Sequence, residues 1–182
     1  SASQITVIAD READIYDLFG RYAGTEVKLV IRSNSNRQIN TGSEKIIDHL
    51  AGQPVKHTYS VVVNGDIRKG VQTRIANLEL KWSTVELRKP HSCNDGNLPG
   101  KVTVTILEAK EKTTRGGICW RLYTTHEINC TSQALQVIHW YKQRWYIEQI
   151  FRLLKMQGFQ IESSQLETGW AIRKLTMLAL MA

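Results

Sequence analysis

The chain has 182 residues and carries 24 Lys and Arg against 17 Asp and Glu, which gives a formal net charge of +7 and a pI of about 9.4. This basic balance favours a polyanionic partner, although many basic proteins bind none. No apolar run approaches the ~20 residues of a membrane-spanning helix and no signal peptide is visible, so we predict no membrane association.

The three cysteines, Cys93, Cys119 and Cys130, are an odd set without the spacing of a metal site. Reduced thiols in an intracellular protein are the simplest interpretation. The five histidines are scattered along the sequence and form no zinc-like pattern. Neither a phosphate-binding glycine loop nor a nucleophile elbow is present in the sequence.

The first 35 residues predict a strand, a helix and a second strand. Residues 5–9 form an apolar run that ends at Asp10, and residues 11–22 have helical apolar spacing. A second apolar run, residues 27–31, ends at Arg32. Because strand, helix and strand follow one another within about 30 residues, the two strands should be parallel, as in an α/β fold.

From Asn34 onward, short segments with period-two alternation replace the helical pattern. The predicted strands are His57–Val63, Gln72–Trp82, Lys101–Leu107 and Ile118–Tyr123. We therefore divide the chain into a first α/β part (1–35), an inserted antiparallel β region (36–117) and a remainder (118–182). In the remainder, a helix capped by Thr131 or Ser132 should run to about Met156, and a last helix should start near Gly169.

Asp10 stands where a buried strand ends and a helix is predicted to begin. Open α/β sheets bind ligands at this position, and a carboxylate there could ligate a metal ion. The same aspartate could equally cap the helix that follows. The sequence leaves both interpretations open.

Four polar residues of the long C-terminal helix fall within roughly a 60° arc, because their spacing returns to nearly one direction at 100° per residue. They are Tyr141, Arg144, Glu148 and Lys155. The residues predicted to form the buried face of this helix are Trp140, Ile147, Ile150, Phe151 and Leu154. A carboxylate between two cations suits a metal ion and a phosphate diester. A solvated face with an i,i+4 pair between Arg144 and Glu148 would explain the stripe as well.

The inserted region alternates basic with apolar residues. The basic residues are Arg68, Lys69, Arg74, Lys81, Arg88 and Lys89. They could present a cationic face to phosphates, although the solvated side of a sheet has the same pattern. Trp120 could stack on an unpaired base or belong to the core.

Two motifs give the chain a family resemblance. The segment Asp10-Arg11-Glu12-Ala13-Asp14-Ile15-Tyr16 resembles the second-aspartate motif of the insertion-sequence-4 family of bacterial DDE transposases. The stretch Tyr141-x₂-Arg144-x₃-Glu148-x₆-Lys155 matches the Tyr-Arg-Glu-Lys signature of that family at every spacing. The resemblance extends from the strand before Asp10 to the helices after Lys155.

The resemblance implies an RNase H-like core interrupted by a large antiparallel β insertion. It implies that Asp10 and Glu148 are catalytic carboxylates that bind two divalent ions, Mg²⁺ or Mn²⁺. By the same resemblance, Tyr141, Arg144 and Lys155 contact the DNA backbone at the transposon end. Arg32 falls where the family has a DNA-contacting base, and Trp120 where it has a tryptophan that stacks on a flipped base.

The function implied is cut-and-paste DNA transposition, with a hairpin at the transposon end. The partners would be double-stranded DNA, both transposon ends and target, and a second copy of the protein. The location would be the bacterial cytoplasm, on the nucleoid. Two alternatives stay open: a metal-dependent nuclease that only hydrolyses DNA, and a non-catalytic DNA-binding remnant.

The chain departs from the family pattern at its beginning. The first aspartate of the family lies on an earlier strand, and only nine residues precede Asp10 here. Asp14, Asp17 and Asp48 do not stand at the right place in the order. We therefore expect a fragment that lacks the first strands of the core and the first catalytic aspartate, and that is inactive alone.

Overall fold

The computed structural model describes residues 4–40, 42–63, 72–113 and 117–156, with Gly65, Gly70, Trp170, Arg173, Lys174 and Met177 in addition. In the helix that ends at Met156, the side chains of Phe151 and of residues 153–156 are outside the described part. The chain divides into two compact units, Ser1–Tyr141 and Lys142–Ala182. The sheet belongs to the first unit.

Six strands in the described residues form one mixed sheet. They are β1 (Thr6–Ala9), β2 (Lys28–Arg32), β3 (His57–Val63), β4 (Arg74–Arg88), β5 (Lys101–Glu111) and β6 (Cys119–Thr124). Their order across the sheet is β1-β2-β6-β5-β4-β3. Only the first pair is parallel, and the four other pairs are antiparallel. The α/β class predicted from the sequence is therefore confirmed.

Up to Met156, the helices that the structure describes are α1 (Tyr16–Tyr22), α2 (Ile46–Gly52) and α3 (Thr131–Met156), and a 3₁₀ turn covers Arg11–Ala13. The parallel β1–α1–β2 unit was predicted, but a continuous helix over residues 11–22 was wrong. Ile15 is extended (φ −120°, ψ 140°) and separates the turn from α1. The carboxylate of Asp14, just before this break, accepts hydrogen bonds from the segment after β2.

Two clusters of buried side chains lie on opposite faces of the sheet, because neighbouring strand residues point to opposite sides. The α1/α2 cluster contains Tyr16, Phe19, Leu29, Ile31, Ile39, Ile46, Leu50, Val85, Leu87, Val102, Val104, Ile106 and Tyr123. The α3 cluster contains Val30, Leu80, Trp82, Leu107, Ala109, Leu122, Ile128, Ala134, Val137, Ile138 and Tyr141. Burial of each large apolar side chain stabilises the fold by about 1.5–3 kcal/mol.

Strand β4 contributes to both clusters, and for this reason it is longer than predicted. Leu80 and Trp82 join the α3 cluster, whereas Val85 and Leu87 join the α1/α2 cluster. The buried positions thus shift by one residue at Ser83-Thr84, while the pairing with β5 continues to Arg88. An alternation that changes phase in mid-strand resembles the end of a strand when only the sequence is read.

The inserted region and the α/β part share the sheet, since β5 pairs with β6 and β6 pairs with β2. A domain division at residues 35 and 117 stays a prediction. The observed α3 agrees with the helix predicted from Thr131 to Met156. Most of the helix predicted from Gly169 lies outside the described residues. No helix in the described part is long and apolar enough to span a membrane.

Candidate active site at the carboxyl ends of the parallel strands

Asp10 and Arg32 lie at the carboxyl ends of the two parallel strands. Asp10 directly follows β1, and Arg32 is the last residue of β2. Ala9 pairs with Ile31, so Asp10 and Arg32 are the next residues in the same register. The side chain of Asp10 makes no capping hydrogen bond to the turn Arg11–Ala13. The helix-cap interpretation of Asp10 therefore finds no support in the structure.

Tyr141 connects these two residues. Its hydroxyl donates a hydrogen bond to Oδ1 of Asp10 at 3.3 Å, and it accepts one from Nη1 of Arg32 at 3.4 Å. The tyrosine is buried in the α3 cluster with 4% of its surface exposed, so its ring is held in place by apolar packing. A phenol thus stands between a carboxylate and a guanidinium at the end of the parallel strands.

Trp120 borders the same group of side chains. Its ring meets the ring of Tyr141 edge to face, with 6.4 Å between the centroids and 62° between the planes. Trp120 pairs with Ala109 on β5, and its side chain is partly exposed. A half-buried indole is available for stacking in a way that a core tryptophan is not. Four of the predicted site residues, Asp10, Arg32, Trp120 and Tyr141, are therefore close together within the first unit.

The second unit contains the rest of the Tyr-Arg-Glu-Lys signature. Nη1 of Arg144 lies 2.7 Å from Oε1 of Glu148, which is the i,i+4 pair expected for a helix. Half of the Glu148 side chain is exposed, so its second oxygen can reach a ligand. Lys155 belongs to α3, but its side chain lies outside the described residues. The contribution of Lys155 stays a prediction.

The apolar face predicted for α3 needs correction. Its first half is buried through Ala134, Val137 and Ile138, which pack on the sheet. Ile147 and Ile150, predicted to be buried, are 50% and 39% exposed. The prediction that these two side chains are buried is therefore wrong.

Among the basic residues of the inserted region that the structure describes, Arg74 and Lys81 are engaged in structural contacts. Arg74 forms a two-pronged ion pair with Glu111, one bond being 2.9 Å long. Nζ of Lys81 donates to the carbonyl of Leu50 at the end of α2, at 3.1 Å. These contacts favour the structural interpretation for Arg74 and Lys81, while Arg68 and Lys69 lie outside the described residues.

Sequence reasoning missed the environment of Asp14. Its side chain is fully buried beside Arg37 and receives hydrogen bonds from the loop after β2. Its position in the same motif as Asp10 was the only local signal in the sequence. The buried ion pair itself depends on a contact over 23 residues and could not be read locally.

Carboxylate oxygens are the ligands that Mg²⁺ and Mn²⁺ prefer, so the chemistry of Asp10 and Glu148 fits such an ion. Among the described residues, no group of three or more His, Cys, Asp or Glu side chains is arranged to hold a metal. Asp10 in the first unit and Glu148 in the second are therefore candidate metal ligands by the chemistry of their side chains.

The family comparison agrees with these observations. The family model described as "Transposase DDE domain" matches residues 2–182. The chain therefore belongs to the transposase DDE domain family. Members of this family are transposases, enzymes that act on DNA and generally depend on divalent metal ions.

Proposed function

We propose that the chain is the catalytic region of a DDE transposase of the insertion-sequence-4 type, with an RNase H-like core. The observation that carries the proposal is the contact of Tyr141 with Asp10 and Arg32 at the ends of the parallel strands. Asp10 and Tyr141 come from two motifs far apart in the chain, the Asp10 segment and the helix signature, and Arg32 ends β2. A purely structural role would leave their convergence unexplained.

Asp10 and Glu148 are the proposed ligands of two divalent ions, Mg²⁺ or Mn²⁺. Ions bound there would activate the attacking oxygen and stabilise the leaving oxygen during in-line displacement at phosphorus. The hydrogen bond from Tyr141 orients one carboxylate oxygen of Asp10. Such partners of a ligand carboxylate restrict its orientation before an ion arrives.

Arg32, Tyr141, Arg144 and Lys155 are the proposed contacts to the DNA backbone. A guanidinium binds phosphate oxygens in a defined geometry and fixes the register of the strand. Arg144 is paired with Glu148 in the structure. A cation held by Glu148 would weaken the attraction between the two residues, so that Arg144 could bind a phosphate.

The proposed reaction is cut-and-paste transposition. Water attacks one strand at the transposon end, and the freed 3′-hydroxyl attacks the opposite strand to give a hairpin. The hairpin is reopened, and the same hydroxyl then attacks target DNA. Trp120 would stack on the base that leaves the helix when the hairpin forms. The synaptic complex would contain two copies of the protein, and it would act on the bacterial nucleoid.

The test uses the full-length protein with a transposon-end duplex and Mg²⁺. Glu148→Gln should abolish end cleavage and leave end binding largely intact, because the change removes a ligand charge without removing a DNA contact. Glu127→Gln is a matched control, since Glu127 is an exposed acid in the loop before α3. Retained cleavage by Glu148→Gln would refute the role of Glu148. Strand joining by the wild type separates a transposase from a nuclease that only hydrolyses DNA.

A further inference from the structure

Asp14 is the most deeply buried acid near the candidate site. Its side chain has no exposed surface, although aspartate is normally a surface residue. It is separated from Asp10 by the 3₁₀ turn Arg11–Ala13. Burial of a carboxylate is costly unless hydrogen bonds and an opposite charge compensate for the loss of water. The contacts of Asp14 show what compensates for that cost.

Both carboxylate oxygens of Asp14 are occupied by donors from the segment after β2. Oδ2 accepts hydrogen bonds from the backbone N–H groups of Asn34 and Ser35, at 2.7 and 3.4 Å. Oδ1 accepts one from Nη2 of Arg37, which also donates to the Asp14 carbonyl at 2.8 Å. The guanidinium of Arg37 in turn lies 5.6 Å from the centroid of the Tyr123 ring.

These bonds connect the loop that follows Asp10 with the loop that follows Arg32. The next residue after Arg32, Ser33, is fixed from the other side, because its N–H donates to the carbonyl of Arg121 at 2.8 Å. Arg121 is adjacent to Trp120 in β6. The Asp14 carboxylate therefore connects the two segments that follow Asp10 and Arg32.

The hydrogen bonds to both carboxylate oxygens of Asp14 argue against a role for it as a metal ligand. A metal ligand needs a lone pair directed at open space, and Asp14 is enclosed by backbone amides and Arg37. Asp14 is therefore not a candidate metal ligand. A buried ion pair is often no more stabilising than apolar residues of the same volume. The pair of Asp14 and Arg37 therefore favours a role in positioning the backbone over a role in stability.

We propose that Asp14 is a positioning residue, which holds the ends of the two parallel strands so that Asp10 and Arg32 face Tyr141. The inference rests on the proposed function of Asp10 and Arg32. The hydrogen bonds of Asp14 to Asn34 and Ser35 hold the strand ends in place, and the ion pair with Arg37 neutralises the buried charge of Asp14.

Three variants of the full-length protein separate position from stability. Asp14→Ala removes the bonds to the loop and the ion pair together. Arg37→Met removes the ion pair but leaves the carboxylate to accept from Asn34 and Ser35. The double variant Asp14→Ala/Arg37→Met leaves neither buried charge, so it should recover part of the stability lost in Asp14→Ala.

Cleavage of a transposon-end duplex is measured at saturating protein, at a temperature where circular dichroism shows every variant folded. Asp14→Ala and the double variant should cleave about 10- to 100-fold more slowly than the wild type, as when a partner of an active-site ligand is removed. Arg37→Met should stay within about threefold, since it keeps the loop bonds. Hydrogen exchange at the Asn34 amide should be slow in the wild type and Arg37→Met, and fast in the other two.

Wild-type cleavage by Asp14→Ala would overturn the inference. So would cleavage that returns in the double variant along with stability, or a defect in Arg37→Met as large as that in Asp14→Ala. Asp10→Asn is assayed alongside. If Asp10→Asn cleaves normally, the proposed function itself fails, whereas loss of cleavage in Asp10→Asn without loss in Asp14→Ala refutes only the positioning role.

Discussion

The hydroxyl of Tyr141 lies 3.3 Å from Oδ1 of Asp10, although 131 residues separate them in the chain. The first belongs to a helix signature and the second to the end of a buried strand. Spacing along the sequence cannot bring these two motifs together, whereas the fold does so by packing α3 on the face of the sheet that carries Val30 and Leu122. The predictions below test what this contact does.

Tyr141→Phe should reduce both stability and cleavage. The change removes the bonds to Asp10 and Arg32 while it preserves the ring and its contact with Trp120. Each hydrogen bond contributes about 1 kcal/mol, so the free energy of unfolding should fall by roughly 1–2 kcal/mol in urea titrations. Cleavage should slow by about tenfold or more. Tyr146→Phe, at a tyrosine that is 64% exposed, should change neither quantity.

Trp120→Leu should affect the hairpin step more than the first nick. Stacking of a base on an aromatic ring contributes about 1–3 kcal/mol, so hairpin formation should slow by roughly 10- to 100-fold. The first nick should keep its rate, because it needs no flipped base. Denaturing gels resolve nicked and hairpin products from one end substrate. Equal loss of both products would assign Trp120 to the fold.

The three cysteines should differ in their reaction with iodoacetamide. Cys130 is exposed, and the hydrogen bond with Ser132 lowers the pKa of its thiol. A hydrogen bond to the Asp17 carboxylate raises the pKa of Cys93, and burial raises the pKa of Cys119. Because the thiolate is the nucleophile, Cys130 should be alkylated at least about tenfold faster near pH 7.5. Peptide mapping measures the three rates, which should converge in urea.

His126 should make stability depend on pH. Its Nε2 lies 3.0 Å from the hydroxyl of Thr6, and its ring packs on Trp140. Burial, aided by the charge of Lys28, lowers the pKa of His126. The unfolded chain then binds more protons at mildly acidic pH, so the stabilisation is complete above about pH 6.5 and is lost as pH falls toward the folded pKa.

The measurement compares the free energy of unfolding of the wild type and His126→Gln at pH 7.5 and pH 5.5. The loss on acidification should be smaller in His126→Gln than in the wild type. His91→Gln, at an exposed histidine, should lose as much as the wild type. An equal loss in all three proteins would show that His126 does not contribute.

Local patterns predicted the bounds of elements that keep one sequence periodicity along their length. The strand His57–Val63 and the helix Thr131–Met156 have the predicted bounds, since each keeps one periodicity throughout. The full length of β4 was not predicted, because its buried positions change from one face of the sheet to the other at Ser83-Thr84. The break after Asp14 was not predicted for a related reason, since the hydrogen-bond partners of Asp14 lie 20 to 23 residues away in the chain.

The candidate site was likewise predicted in part from local patterns, and the rest depended on long-range packing. The spacing in α3 and the strand ends identified the residue types, and the structure places Asp10, Arg32, Trp120 and Tyr141 together. The bonding of Tyr141 to both neighbours required the packing of α3 on the sheet. Glu148 and Lys155 retain roles that are proposed from the signature.

The central claim is that Asp10 and Glu148 hold the same divalent ions. Iron-directed cleavage tests it most directly: Fe²⁺ replaces Mg²⁺ in the full-length protein bound to a transposon end, and peroxide with ascorbate generates radicals that cut the nearby backbone. The claim predicts cuts next to both Asp10 and Glu148, suppressed by excess Mg²⁺ and absent in Asp10→Asn. Cuts near only one of the two residues, or cuts unchanged in Asp10→Asn, would contradict it.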